Sequence, residues 1–152
     1  MRRRTSGFTM IELMTVIVIV GILAVLAIPA FGDQIARRRL EGAATDLSTD
    51  LQFARTQAVG RRGTTRLITE SGGTQYRVIT AEGTKTVALP AGITVTDGIT
   101  VTYDHFRGTA DADYVLNLAS TRTSATMRAN VNTMGRVNVC SPSGSLKGYA
   151  TC

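Results

Sequence analysis

Leu13 to Gly32 is a run of 20 residues without a charge, and it constrains this chain more than any other feature. As a helix rising about 1.5 Å per residue, the run is about 30 Å long, the thickness of a bilayer's hydrocarbon core. Arg2, Arg3 and Arg4 stand in front of it. By the positive-inside rule such a cluster holds a short N-terminus in the cytoplasm and sends the rest outward. Three kinds of segment fit so far: a cleaved secretory signal, an ordinary signal anchor, and a helix retained behind a short processed leader.

Glu12 separates them. A carboxylate at the edge of a spanning segment is costly and usually marks function. A secretory signal has no use for one, and Ile28-Pro29-Ala30 matches a small-x-small cleavage site poorly. Ser6-Gly7-Phe8-Thr9-Met10-Ile11-Glu12-Leu13, by contrast, closely resembles the recognition site of prepilin peptidase. The resemblance implies cleavage after Gly7 on the cytoplasmic side, N-methylation of Phe8, and retention of the apolar helix. It also implies that Glu12 pairs, inside a filament, with the N-terminal amine of a neighbouring subunit. Each charge then offsets the desolvation of the other, and the pair sets axial register between packed helices. The implied partners are the peptidase, the inner membrane before assembly, and other pilins or pseudopilins through the N-terminal helix. The implied location is a single-pass inner-membrane protein with a periplasmic head, then a pilus or pseudopilus. Pro29 fits an internal position where it kinks or locally melts the helix, because a helical pattern resumes beyond it.

That pattern is a narrow stripe. Leu40, Ala44, Leu47, Leu51, Ala54 and Ala58 recur every three or four residues, as on an amphipathic helix that lies on another surface. Arg37, Arg38, Arg39, Asp46, Asp50 and Arg55 mostly fall on other faces. The arginine triplet reads as a solvated face just outside the membrane, with lipid head groups as an alternative contact. The helix is expected to fade near Gly60 and Gly63, where Arg61 and Arg62 suit a helix C-terminus.

From Thr64 onward the chain reads as β structure. Strands are expected at Leu67–Thr69, Tyr76–Thr80, Thr86–Leu89, Ile93–Thr96, Ile99–Tyr103, Tyr114–Leu118, Ala125–Val131 and Arg136–Cys140. They are rich in Thr, Val, Ile and Tyr and are punctuated by glycine turns. With no helix between them, they form antiparallel sheets packed on the amphipathic half-helix. The absence of Trp, aromatics at only 5% and 15 glycines suit a turn-rich aliphatic domain.

Three short segments narrow the resemblance. Leu51 to Val59 is similar to the end of the long helix in the GspH/FimT family of minor pilins and pseudopilins. Tyr103-Asp104-His105-Phe106-Arg107-Gly108 looks like that family's aromatic-to-glycine turn, and Met134 to Cys140 resembles its closing Gly-Arg strand. The expected fold class is therefore α+β and pilin-like: a long N-terminal helix, half transmembrane and half amphipathic, on the antiparallel sheets of a small head. The expected boundaries are a leader at 1–7, a filament-core helix at 8–31, an amphipathic helix at 32–62 and a β-rich head at 63–152.

No catalytic constellation emerges. Gly72-Gly73 lacks the context of a phosphate loop, Ser141 and Ser143 have no adjacent base, and His105 beside Asp104 reads as a surface turn. No cofactor is implied. The two cysteines, Cys140 and Cys152, have eleven residues between them and no histidine nearby, which argues against a metal site. In an exported domain they are expected to form a disulfide.

The net charge of +6 is uneven, with no acidic residue after Asp113, so Arg122, Arg128, Arg136 and Lys147 stand unopposed there. Solvated surface cations are one reading. Another comes from the tail, whose Gly148 to Cys152 ending resembles that of FimT-like minor pilins in natural transformation. There, Gly-Arg-x-Arg-x-Cys before a basic tail is associated with DNA binding. The resemblance points to Arg136, Lys147 and Arg128 as phosphate contacts on double-stranded DNA, with Tyr149 stacking on a base or packing the loop. Asn138 replaces the second arginine of the motif. The alternative function is a pseudopilin of type II secretion that contacts other pseudopilins or cargo.

Overall fold

The computed structural model describes residues 8–142, 144 and 146–152, and only the backbone of residues 26–30. Gly7, after which cleavage is expected, lies outside the described residues. The chain divides into two units, Met1–Gln34 and Ile35–Cys152. Helix α1, Met10–Arg61, begins in the first and ends in the second.

Thr9 starts α1 as its cap. Its hydroxyl accepts the Glu12 amide at 3.3 Å, and its carbonyl accepts the Leu13 amide at 3.2 Å. Thr9-Met10-Ile11-Glu12 has the spacing of a capping box, with the acid in the first turn where the helix dipole favours it. The side chains of Phe8, Glu12 and the apolar residues up to Val25 are exposed. Among the described residues, no helix is long and apolar enough to cross a membrane. The uncharged run passes through residues 26–30, whose side chains are not described. The helix continues through Pro29 rather than melting there.

α1 ends between Gly60 and Gly63, as expected, with Arg61 in its last turn. Gly60 lies within the helix, and Arg62 takes the left-handed conformation (φ 51°) that closes it. The Gly63 amide then donates back to the Ala58 carbonyl at 3.2 Å, the six-residue closure of a Schellman motif.

Eight strands follow among the described residues: β1 Thr65–Thr69, β2 Gln75–Thr80, β3 Gly83–Ala88, β4 Ile93–Val95, β5 Thr100–Tyr103, β6 Tyr114–Ser120, β7 Thr126–Val131 and β8 Val137–Cys140. All pairings are antiparallel, in two four-stranded sheets ordered β3-β2-β1-β5 and β4-β6-β7-β8. The helical stripe supplies the centre of the core, since Leu40, Ala44, Leu47, Leu51, Ala54 and Ala58 are all fully buried. They pack in one cluster with Leu67, Tyr76, Val78, Val101 and Tyr103 of the first sheet. Ile93, Leu116, Leu118, Met127, Ala129 and Val131 of the second sheet join the same cluster.

Asp50 is one of the charges expected to fall mostly on other faces of the helix than the apolar stripe. It is buried, accepting the Tyr76 hydroxyl at 2.8 Å and the Lys85 ammonium at 2.6 Å. Asp50 flanks the stripe, three residues after Leu47, so inclusion in the core requires these partners. Burial first, and the Asp50 carboxylate second, push the Tyr76 phenol far up, so it remains a hydroxyl donor.

Candidate functional site

Two tight turns meet the last turns of α1. The first, 104–108, is closed by the Gly108 amide donating to the Asp104 carbonyl at 3.0 Å, and the Phe106 amide donates to the Asp104 carboxylate at 3.1 Å. The second, 132–136, joins β7 to β8. Gly135 donates to the Asn132 carbonyl at 2.7 Å, and the Arg136 amide donates to the Asn132 side chain at 2.8 Å. Ala110 donates to the Thr133 carbonyl at 3.0 Å, which ties the second turn to the chain just beyond the first.

Arg55 links them. Its Nε donates to the Gly108 carbonyl at 2.9 Å. Gly108 and Gly135 both adopt left-handed backbone, φ 63° and 71°, and both lie against this side chain. A Cβ at Gly108 would stand 2.9 Å from Val59 Cγ2 and 3.2 Å from Arg55 Cγ, so the helix can approach only a glycine. Behind them, burial pushes the Tyr103 phenol up to about 12, with Arg55 opposing the shift.

Both turns carry an exposed arginine next to their glycine. Arg55, Arg107 and Arg136, with Thr109, Asn132 and Met134, line a cleft of about 510 Å³. No carboxylate lines it, and among the described residues none of the three arginines forms an ion pair. The three arginines line one cleft with no carboxylate among its lining residues, while Asp104 caps the first turn and Asp113 accepts the Thr133 amide of the second at 2.6 Å; forked guanidinium donors suit phosphate oxygens.

The residues expected from the sequence are distributed differently. Arg136 is in the cleft. Arg128 is not, because its Nε donates to the Asn117 side chain at 2.9 Å, and Asn117 in turn donates to Asp97 at 2.8 Å. That amide, foremost, holds the Asp97 carboxyl below its usual range, with burial opposing. Lys147 and Tyr149 belong to the tail, which Cys140–Cys152 closes as a disulfide, Cα atoms 5.2 Å apart. Ser141 donates to the Ala150 carbonyl at 3.0 Å, and Leu146 of the tail is buried in the core. Lys147 is exposed, while Tyr149 is half-buried and packs on the core. Arg136 precedes β8 and Cys140 ends it, so the cleft and the tail sit at opposite ends of that strand, roughly 13 Å apart at strand rise.

Arg55 and Arg107 were not among the residues expected to bind. The signals were present: Arg107-Gly108 and Gly135-Arg136 pair a cation with a turn glycine, and Arg55 falls four residues after Leu51 on the buried edge of the helix. His105, 3.4 Å from the Asp104 carboxylate, stacks obliquely on Phe106 with ring centres 3.9 Å apart. Among the described residues no cluster of His, Cys, Asp and Glu could hold a metal ion.

A long helix whose amphipathic half is wrapped by two antiparallel sheets, behind a methylation-type N-terminus, defines a pilin-like subunit. Comparison with known proteins makes this specific. The model of the family described as "Type II transport protein GspH" matches residues 43–147, and that of the "Prokaryotic N-terminal methylation motif" matches residues 2–28. This chain belongs to the GspH family and carries the N-terminal methylation motif of type IV pilins and pseudopilins. It is 35% identical over 119 residues to the type IV major fimbrial protein FimA of Dichelobacter nodosus, covering 72% of each chain. A fimbrial protein of Moraxella nonliquefaciens is 46% identical over 63 residues, 37% of this chain and 41% of that one. The fold matches crystal structures of the type IV minor pilin FimU of Pseudomonas aeruginosa PAO1. For one of them the TM-score is 0.56 at 18% identity, over 68% of this chain and 89% of that one. The methylation motif implies processing by prepilin peptidase and assembly with other pilins.

Proposed function

We propose that this protein is a minor, structural subunit of a type IV pilus whose head binds DNA non-specifically through phosphates, as in natural transformation. Cleavage after Gly7 exposes Phe8 for methylation. The helix from Phe8 to Phe31 anchors the chain in the inner membrane with its head in the periplasm, and then enters the filament core. There Glu12 pairs with a neighbour's N-terminal amine. The observation that carries the DNA reading is the cleft in which Arg55, Arg107 and Arg136 converge with no carboxylate among the lining residues. Minor status rests on the fold shared with FimU, described as a type IV minor pilin. A second reading is favoured by the description of the matched family as a type II transport protein: a pseudopilin that uses the same cleft on acidic groups of a partner subunit.

The test is a salt titration of the detergent-solubilised chain with a short duplex. Three phosphate contacts give a slope of log K against log salt near about −2.7, and Arg136→Ala or Arg107→Ala reduces it by about one unit. Arg128→Ala, already engaged by Asn117, leaves the slope unchanged. Absence of binding to both duplex and single-stranded DNA at low salt would overturn the DNA reading and favour the pseudopilin.

A further inference from the structure

The arginine cleft has an aromatic neighbour that phosphate binding does not use. Phe106 is 79% exposed at the tip of the 104–108 turn, directly before Arg107. His105 stacks on it, and both follow Asp104, whose carboxylate fixes the turn by accepting the Phe106 amide. Met134, 65% exposed, lines the cleft on the second turn. A large apolar ring this accessible at a turn apex adds nothing to the core. Cations and an aromatic on consecutive residues present two different surfaces: one for a charged oxygen, one for a flat π face.

Resting on the reading that the cleft binds DNA, we propose that its preferred form is single-stranded, with one base stacked on Phe106 while adjoining phosphates sit on Arg107, Arg136 and Arg55. A duplex offers phosphates and base edges but no free base face, so it cannot use Phe106. Single strands offer both, and positively charged grooves with exposed aromatics are how proteins hold them without sequence preference. The Asp104 carboxylate disfavours a phosphate beside the aromatic pair but not an uncharged base, which orients the nucleotide across the turn.

Electrostatics alone predicts the reverse order. Duplex DNA has the higher charge density and releases more counter-ion per phosphate contacted, about 0.9 against about 0.7 for a single strand. A preference for single strands therefore reports stacking. The assay is fluorescence anisotropy of the detergent-solubilised full chain with labelled oligothymidine and a duplex of equal length, at one low salt concentration. The single strand is expected to bind about tenfold tighter. Phe106→Ala is expected to weaken it by about 5- to 150-fold, the range for one stacked base, and to leave the duplex unchanged. Because Phe106 is exposed, the substitution leaves the core intact.

The native chain contains no tryptophan. Phe106→Trp therefore installs one reporter, whose emission is expected to quench on adding oligothymidine and to stay constant on adding duplex. Equal or tighter duplex binding, with Phe106→Ala neutral on both, overturns the single-strand proposal and leaves DNA binding standing. No binding of either form at low salt removes both. Quenching without a preference for the single strand likewise overturns the proposal.

Discussion

Gly135→Ala places a methyl group where the structure has no room for one. At φ 71° an alanine already costs about 1–2 kcal/mol relative to glycine. The new Cβ would run into the Gly108 carbonyl oxygen and stand 2.9 Å from Arg55 Nε, the pair joined by the 2.9 Å hydrogen bond between helix and turn. The arginine can swing aside, but a backbone oxygen cannot move unless the whole 104–108 turn withdraws. Withdrawal forfeits a hydrogen bond from a charged donor, about 1.5–3 kcal/mol. The expected total is about 3–5 kcal/mol. Gly72 supplies the control: its φ is 70° and nothing lies within 4 Å of the place a methyl would take, so Gly72→Ala carries the backbone cost alone. Urea unfolding of the two variants measures the gap, which is expected at about 2–3 kcal/mol, or a midpoint about 1 M lower or more for Gly135→Ala. Equal midpoints would refute the claim that the two turns are jammed against Arg55. The same withdrawal separates Arg107 from Arg136, so DNA affinity is expected to fall with stability for Gly135→Ala and not for Gly72→Ala.

Three more outcomes follow from the head. Asp50→Ala leaves the Tyr76 hydroxyl buried without its acceptor and is expected to cost about 3–4 kcal/mol. Tyr76→Phe, which leaves Asp50 paired with Lys85, is expected to cost about 1–2 kcal/mol; the reverse order in urea unfolding refutes the assignment. Reducing Cys140–Cys152, a closure 12 residues long in sequence, is expected to lower unfolding free energy by about 3 kcal/mol. Hydrogen exchange at the Ser141 amide should rise with it, and a stability loss below about 1 kcal/mol contradicts the prediction. Asp97, depressed below its ordinary value of 3.8, contributes stability above that value which is lost as pH falls through the lower folded value. Asn117→Ala is expected to raise the Asp97 midpoint, read from its carboxyl NMR signal, and to shrink the acid-dependent part of stability; an unmoved midpoint sinks this.

The fold was legible wherever burial imposes a period. Six apolar residues spaced three and four apart had to share one helix face, and all six are buried. Strand positions were visible where one face is buried, since alternation such as Thr126 to Val131 leaves Met127, Ala129 and Val131 inside; β3, almost wholly exposed, runs Gly83–Ala88 rather than the expected Thr86–Leu89. Strand partners were not. Asp97-Gly98 sits between β4 and β5 like a hairpin turn, yet the two strands lie in different sheets. The Asp97 carbonyl accepts the Thr69 hydroxyl at 2.8 Å and its carboxylate accepts Asn117, so this segment crosses from one sheet to the other. Turn composition reports that the chain changes direction; only the contacts made afterwards decide which edge it joins.

The candidate site was half legible for a related reason. Arg136 could be picked out because its motif is local, and a cation with no acid downstream is conspicuous in sequence. Arg128 was equally conspicuous, but its register places it opposite Asn117, whose amide oxygen occupies it. Arg55 looked like an ordinary solvated charge on a helix. It is drawn into the site because two glycines, far apart in the chain, give up their Cβ atoms at the same place and let two turns close on it. A substitution that restores bulk at either glycine should therefore weaken DNA binding, as one that removes an arginine does. Charge supplies the attraction, but the spacing of the charges is set by residues that carry none.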